Sequence, residues 1–159
     1  MAVAENDTGR AGHVGAEYGF RLAAVFDFVD AVTGPGFAAD RPRVEDTDEL
    51  AALLAGLRGG APVLMTPTLM DDVLAPSGTG LVPMNFRTDG EWIWTDTVTY
   101  YLERYALAPE PGLLAHLRAS GAAGRVPDAA TVERAAAFVL NPPAPAAAVW
   151  RPGGDGPAV

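Results

Sequence analysis

The stretch Leu81–Leu107, LVPMNFRTDGEWIWTDTVTYYLERYAL, leaves a folding chain few choices. Val82–Arg87 alternates and reads as a strand, and Glu91–Trp94 reads as a second. Between them Thr88-Asp89-Gly90 is a strong hairpin signal, because Gly supplies the positive φ that tight turns require. Thr95 or Asp96 then caps a helix from Thr97 to about Ala106. Val98, Tyr101, Leu102 and Tyr105 follow the i, i+3, i+4, i+7 pattern and form one buried stripe, while Tyr100, Glu103 and Arg104 point elsewhere.

The hairpin register decides what the tryptophans are for. A two-residue Asp-Gly loop pairs Thr88 with Glu91 and Arg87 with Trp92. Asn85, Arg87, Trp92 and Trp94 then share a face that would look like a ligand platform. A three-residue loop pairs Arg87 with Glu91 instead. Met84, Phe86, Trp92 and Trp94 then face inward, and Asn85, Arg87, Glu91 and Ile93 outward. The second pattern is cleaner, puts opposite charges across from one another, and makes the tryptophans core.

Around this unit, Glu17–Val32 reads as a largely buried helix carrying Tyr18, Leu22, Val25, Phe26 and Val29, with a strand for part of Phe20–Val29 as the alternative. Gly34-Pro35-Gly36 ends it. Asp46 caps a helix to Leu57, with Glu49 three residues on, and Gly59-Gly60 stop it. Residues 62–66 form a short buried strand. Leu69, Met70, Val73 and Leu74 make one helical turn with Asp71 and Asp72 facing out, followed by a connector over 76–80. Pro109-Glu110-Pro111 is a linker into a short helix, Gly112–Ala119, broken by Gly121 and Gly124. Pro127-Asp128 opens the last helix, which runs through Leu140 with Val132, Ala135, Ala136 and Val139 on one face. The expected fold is α+β: a small antiparallel or mixed sheet of about three to four strands with helices packed on one face. One domain spans 14–140, between a disordered N-terminal segment, 1–13, and a disordered Pro/Ala/Gly-rich tail, 141–159.

Composition removes whole classes of chemistry. All eleven basic residues among the 159 are Arg, so Schiff bases, a pyridoxal-phosphate anchor and a P-loop lysine are ruled out. There is no Cys, hence no thiolate zinc site, no disulfide and no cysteine nucleophile. A net charge of −9 without a basic patch speaks against nucleic acid and an anionic membrane surface. The N-terminus lacks the apolar core of a secretory signal, and the uncharged runs are too short for a span, so a cytoplasmic bacterial protein of a GC-rich genome is expected.

The run FRTDGEWIWTDTVTYYLERYALAPEPGLLAHLR resembles a motif of small, largely uncharacterised actinobacterial proteins. In these an Arg-Thr-Asp-Gly-x-Trp-x-Trp hairpin leads into a helix with a Tyr-Tyr-Leu triplet, then a Pro-containing linker and a short helix. The resemblance covers Leu64 to Arg118, about a third of the chain. Some such proteins look like immunity or antitoxin partners by analogy, which would imply a partner protein; the resemblance carries over no catalytic residues.

No catalytic residue, metal ligand set or cofactor is assigned. His13 lies in the N-terminal segment and His116 reads as a surface residue. Neighbouring Asp71 and Asp72 diverge, and Ser77 and Ser120 lie in Gly-containing loops without a nucleophile elbow. Arg87 and Glu91 read as a solvated salt bridge. The first hypothesis is a non-catalytic interaction module, immunity-like or regulatory, that binds a partner protein through an acidic polar face with Asn85, Arg87, Asp89, Glu91, Tyr100 and Glu103. The alternative is a small enzyme or ligand binder with a pocket between the 82–94 hairpin and the 97–106 helix, using Asp72, Arg87, Trp92, Tyr100 and Glu103. Absent Lys, Cys and a His cluster, the first is favoured. Oligomeric state is not legible.

Overall fold

The computed structural model describes residues 19–75, 77, 79–121 and 126–142. The expected N-terminal segment, 1–13, and the expected tail, 141–159, from residue 143 on lie outside the described residues, as do Pro76 and Gly78 of the connector and Gly124.

The hairpin forms, but in neither expected register. β7 (Phe86–Thr88) and β8 (Trp92–Thr95) pair with Thr88 opposite Ile93, Arg87 opposite Trp94 and Phe86 opposite Thr95. The turn is therefore Asp89–Trp92. Asp89 Oδ1 accepts the N–H groups of Glu91 and Trp92, at 3.0 and 2.9 Å. Thr88 Oγ1 accepts the Gly90 N–H and donates to the Trp92 carbonyl. These bonds satisfy the turn's backbone locally and favour a wider loop. Gly90 still holds a positive φ, 98°. Arg87 now shares a face with Trp94, and Ile93 points the other way.

The upstream strand also breaks. β6 (Val82–Pro83) belongs to a separate two-stranded ribbon with β5 (Leu69–Met70). Leu69 and Met70 are therefore extended, not helical. At the break, Asn85 Oδ1 accepts the Thr66 N–H and its amide donates to Asp96, so one side chain joins three segments.

The main sheet has the order β1-β8-β7-β4, with β1 (Arg21–Leu22) parallel to β8 and β4 (Ala61–Leu64) antiparallel to β7. The first apolar segment is thus not a helix. Arg21 and Ala23 donate their N–H groups to the carbonyls of Glu91 and Ile93, while β2 (Phe28–Asp30) folds back on β3 (Gly34–Gly36). The apolar residues of this run pack singly into different places: Phe20 against Ile93, Ala23 against the tryptophans, Phe26 against Tyr101. Sheet pairing outweighs a helical spacing that no single helix face could have satisfied.

The helices follow their local signals. α1 (Thr47–Arg58) starts at Asp46, whose carboxylate accepts the Glu49 N–H, and ends at Gly59. α2 (Asp96–Tyr105) presents Val98, Tyr101 and Leu102 inward. α3 (Pro111–Ser120) begins at the residues read as a linker. α4 (Ala129–Leu140) starts at Asp128, capped through the Thr131 N–H, and adds Phe138 to the expected face. α1, α2 and α3 cover Trp92 and Trp94 on one side of the sheet. α4 packs Ala135 and Phe138 against Ile93 on the other. The class is α+β with a mixed four-stranded sheet, as expected, and α4 supplies helix on the second face as well. Both faces of β8 are therefore dry, so Trp92, Ile93 and Trp94 are all buried whatever the register. Among the described residues no helix is long and apolar enough to cross a membrane.

Two glycines seat the tryptophans. A Cβ on Gly60 would lie 2.5 Å from Trp94 Cζ2, and one on Gly112 would lie 2.9 Å from Trp92 Cη2. Trp94 completes its seat by donating Nε1–H to the Leu57 carbonyl.

Candidate functional site

The residues singled out from the sequence separate into three clusters and one lone pair. Asn85 and Arg87 converge on Asp96 at the start of α2. Arg87 Nε donates to Asp96 Oδ1 at 2.7 Å, and its Nη1 donates to the Gly60 carbonyl. The expected Arg87–Glu91 salt bridge does not form, because the wider turn carries Glu91 away from Arg87. Glu103 stands apart, paired with Arg58 on the surface, where such a pair contributes little.

Asp89, Glu91 and Trp92 gather around His116 of α3. His116 Nε2 bonds Asp89 Oδ2 and its Nδ1 lies 3.7 Å from Glu91 Oε2. The imidazole also packs beside the Trp92 ring. His116 is therefore not a free surface residue but a tie between the turn and α3. Both oxygens of Asp89 are used, one on backbone and one on imidazole.

Asp72 and Tyr100 form the third cluster, and here the expectation that Asp72 faces outward is reversed. Its side chain is fully buried. Oδ2 accepts the hydroxyls of Tyr100 and Tyr105, at 2.8 and 2.7 Å, and Oδ1 accepts the Leu74 N–H. Burial pushes the carboxyl up, but the bonds from Tyr105, Leu74 and Tyr100 together hold it below its usual range. The Tyr100 hydroxyl is pushed up to about 12, first by burial and then by its bond to Asp72. The cluster fastens the 72–75 turn to α2 and leaves no polar atom of Asp72 to offer a ligand.

A cavity of about 730 Å³ opens elsewhere, between β1 with the segment after it, the 38–42 loop, and the start of α3. Trp92, only 2% exposed, borders it behind Arg21. Its walls include Ala24, Phe26, Pro42, Ala108 and Leu114, and its charges are Arg21, Arg41, Arg118, Asp27, Asp40 and Glu110.

Local sequence explains how these groups are placed. Pro111 fits the first turn of α3, where its missing N–H costs nothing, and Glu110 is the residue before it. Glu110 does not cap that helix. Its Oε2 reaches across to accept the Ala24 N–H at 2.6 Å, tying two walls of the cleft. Its Oε1 lies beside Gly112 and receives no donor among the described residues. Burial pushes the Glu110 carboxyl up, opposed by the Ala24 N–H and the charge of Arg41.

Arg41 is spent on structure. Nε and Nη2 both donate to the Ala108 carbonyl, and Nη1 pairs with Asp27 at 2.9 Å. Arg118 is held at the rim by Glu49. Arg21 is different: its guanidinium lies 5.8 Å from the Trp92 ring centroid, and it makes no ion pair among the described residues. Sequence reasoning missed Arg21, Arg41 and Glu110. Two signals pointed to them, an acid fixed between two prolines immediately before a helix and a lone Arg interrupting an apolar run.

One carboxylate of raised proton affinity can accept or donate a hydrogen bond, but among the described residues lining the cleft there is no hydroxyl nucleophile, and neither other carboxylate is placed to work with it. Asp27 is tied to Arg41 and to the Ala38 N–H, and Asp40 lies exposed on the rim. Among the described residues no group of three or more His, Asp or Glu could hold a metal ion. No family model, no curated protein and no solved structure matches the chain.

Proposed function

We propose that the protein binds a small molecule in the cleft between β1, the 38–42 loop and the start of α3, and that it does so without reacting with it. One observation carries this reading: a cavity of about 730 Å³ with apolar walls and a few charged groups, the size and make-up of a small-ligand site. It keeps the ligand-binding alternative reached from the sequence but moves the pocket from the α2 side of the hairpin to its α3 side. Ligand-observed NMR against a library of small polar and aromatic compounds tests it. Ligands should appear in the micromolar to millimolar range and be lost in Ala38→Trp, which fills the cleft from its loop. A library without ligands, or ligands that bind Ala38→Trp equally well, would count against the cleft.

A second reading keeps the partner protein, immunity-like or regulatory, that the sequence favoured. It is supported by the β2–β3 hairpin, which leaves Phe28 half exposed and Val29 and Val32 78% and 92% exposed. It is not supported by the acidic polar face expected from the sequence, since Asp89 is buried and Asn85, Arg87 and Tyr100 are bonded within the fold. A partner retained by the wild type and released by the double substitution Val29→Asp, Val32→Asp supports it. The same proteins retained by both forms would refute it. Either reading suits a cytoplasmic protein.

A further inference from the structure

Charges in the cleft can be divided into those already used and those still open. Arg41 has its guanidinium on Ala108, Val25 and Asp27. Arg118 is paired with Glu49. Asp27 is satisfied by Arg41 and the Ala38 N–H. Asp40 has no partner among the described residues but lies exposed on the rim. The two remaining uncommitted charges are opposite in sign: Arg21 above the Trp92 ring, and Glu110 Oε1 beside Gly112. Both flank one indole, since Gly112 itself abuts Trp92. They make no ion pair with each other among the described residues, and both line the cleft.

We propose that the ligand of this cleft is dipolar, an amino-acid-like molecule whose ammonium group meets Glu110 Oε1 and whose carboxylate meets Arg21, with its apolar side chain against the walls formed by Phe26, Pro42 and Leu114. This rests on the cleft reading above. The physical argument is one of exclusion. A purely anionic ligand would satisfy Arg21 but place its charge beside the unanswered Glu110 carboxylate oxygen, and would approach a chain of net charge −9. A purely cationic ligand would satisfy Glu110 and place its charge beside an unanswered guanidinium. A dipolar ligand answers both, and each bond to a charged group is strong enough to be read as selectivity.

The test uses matched probes on the intact chain. Free phenylalanine is compared with phenethylamine, which lacks the carboxylate, and hydrocinnamate, which lacks the ammonium. Free leucine is compared with isoamylamine and isocaproate in the same way. In each series the dipolar member should bind at least about tenfold more tightly than either singly charged one, as expected for one bond to a charged group. Glu110→Gln should reduce it to the level of the carboxylate-only probe, and Arg21→Gln to that of the ammonium-only probe. The ranking in the wild type stands even if a variant folds poorly. Equal affinity within a series, or substitutions that leave the ranking unchanged, overturn the inference. So does the failure of all six probes at millimolar concentration, while library ligands displaced by Ala38→Trp would keep the cleft itself. Loss of both defeats the two readings together.

Discussion

Asp72 and Glu110 are both buried carboxylates, yet they have opposite roles. Asp72 accepts three hydrogen bonds from two tyrosines and a backbone N–H, and its proton affinity is lowered despite burial. Glu110 accepts one, and burial prevails to raise its proton affinity. The difference is one of satisfaction rather than depth. A buried group with both oxygens used holds structure together. One with an oxygen left over is a cost to the fold that a ligand can offset.

The comparison breaks first if Asp72 is removed. Asp72→Ala should destabilise by about 3 kcal/mol in urea unfolding, because two tyrosine hydroxyls and the Leu74 N–H lose a charged acceptor together. An effect below about 1 kcal/mol would mean water replaces the carboxylate and the cluster is not a fastening.

Next in size is the pH dependence, which should have opposite sign at the two sites. Asp72 has a folded pKa below its unfolded value near 3.8, so its contribution is full above that value and is lost as pH falls through the lower folded pKa. Glu110 has a folded pKa above 4.5, so ionising it costs more in the folded state, and stability declines as pH rises from 4.5 toward the raised value. Thermal unfolding of Asp72→Asn should show a weakened acid limb. Glu110→Gln should remove the decline above pH 4.5, and the reverse pattern would invert the comparison.

Smaller effects sharpen it. Glu110→Gln keeps a carbonyl for the Ala24 N–H and removes the buried charge, so at neutral pH it should be neutral or stabilising by up to about 1 kcal/mol. Marked destabilisation would place Glu110 among the structural groups. Arg21→Gln should cost only about 0.5 kcal/mol, the worth of an exposed cation–π contact. A larger loss in calorimetry would mean that Arg21, like Arg41, is already committed to the fold.

Much of the frame could be read from the chain because its signals are local. Asp46 with Glu49, the stripe Val98–Tyr101–Leu102, and Asp128 before an Ala-rich helix each act within one turn of backbone. The tryptophans were correctly placed inside, but through a register the protein does not adopt. Asp89 and Thr88 bind turn amides and shift the pairing, and both sheet faces are covered, so burial did not depend on the parity that seemed to decide it. The first apolar run misled because its residues divide among separate packing clusters, which periodicity cannot express. The cleft was not legible, since Arg21, Arg41 and Glu110 meet only through tertiary structure and Pro-Glu-Pro resembles any linker.

One bond described above also bears on the order in which the molecule assembles. Ala24 and Glu110 are 86 positions apart, and β1 joins β8 in parallel, so the pair closes only across a long stretch of chain. Closing so long a loop is paid for in chain entropy before any contact rewards it, whereas the hairpin and α2 bring together near neighbours. The hairpin with its helix is thus the natural early nucleus, and the cleft is among the last features to form. A ligand in it would bind only chains that have completed the crossover, and would slow unfolding of the whole molecule rather than of one element.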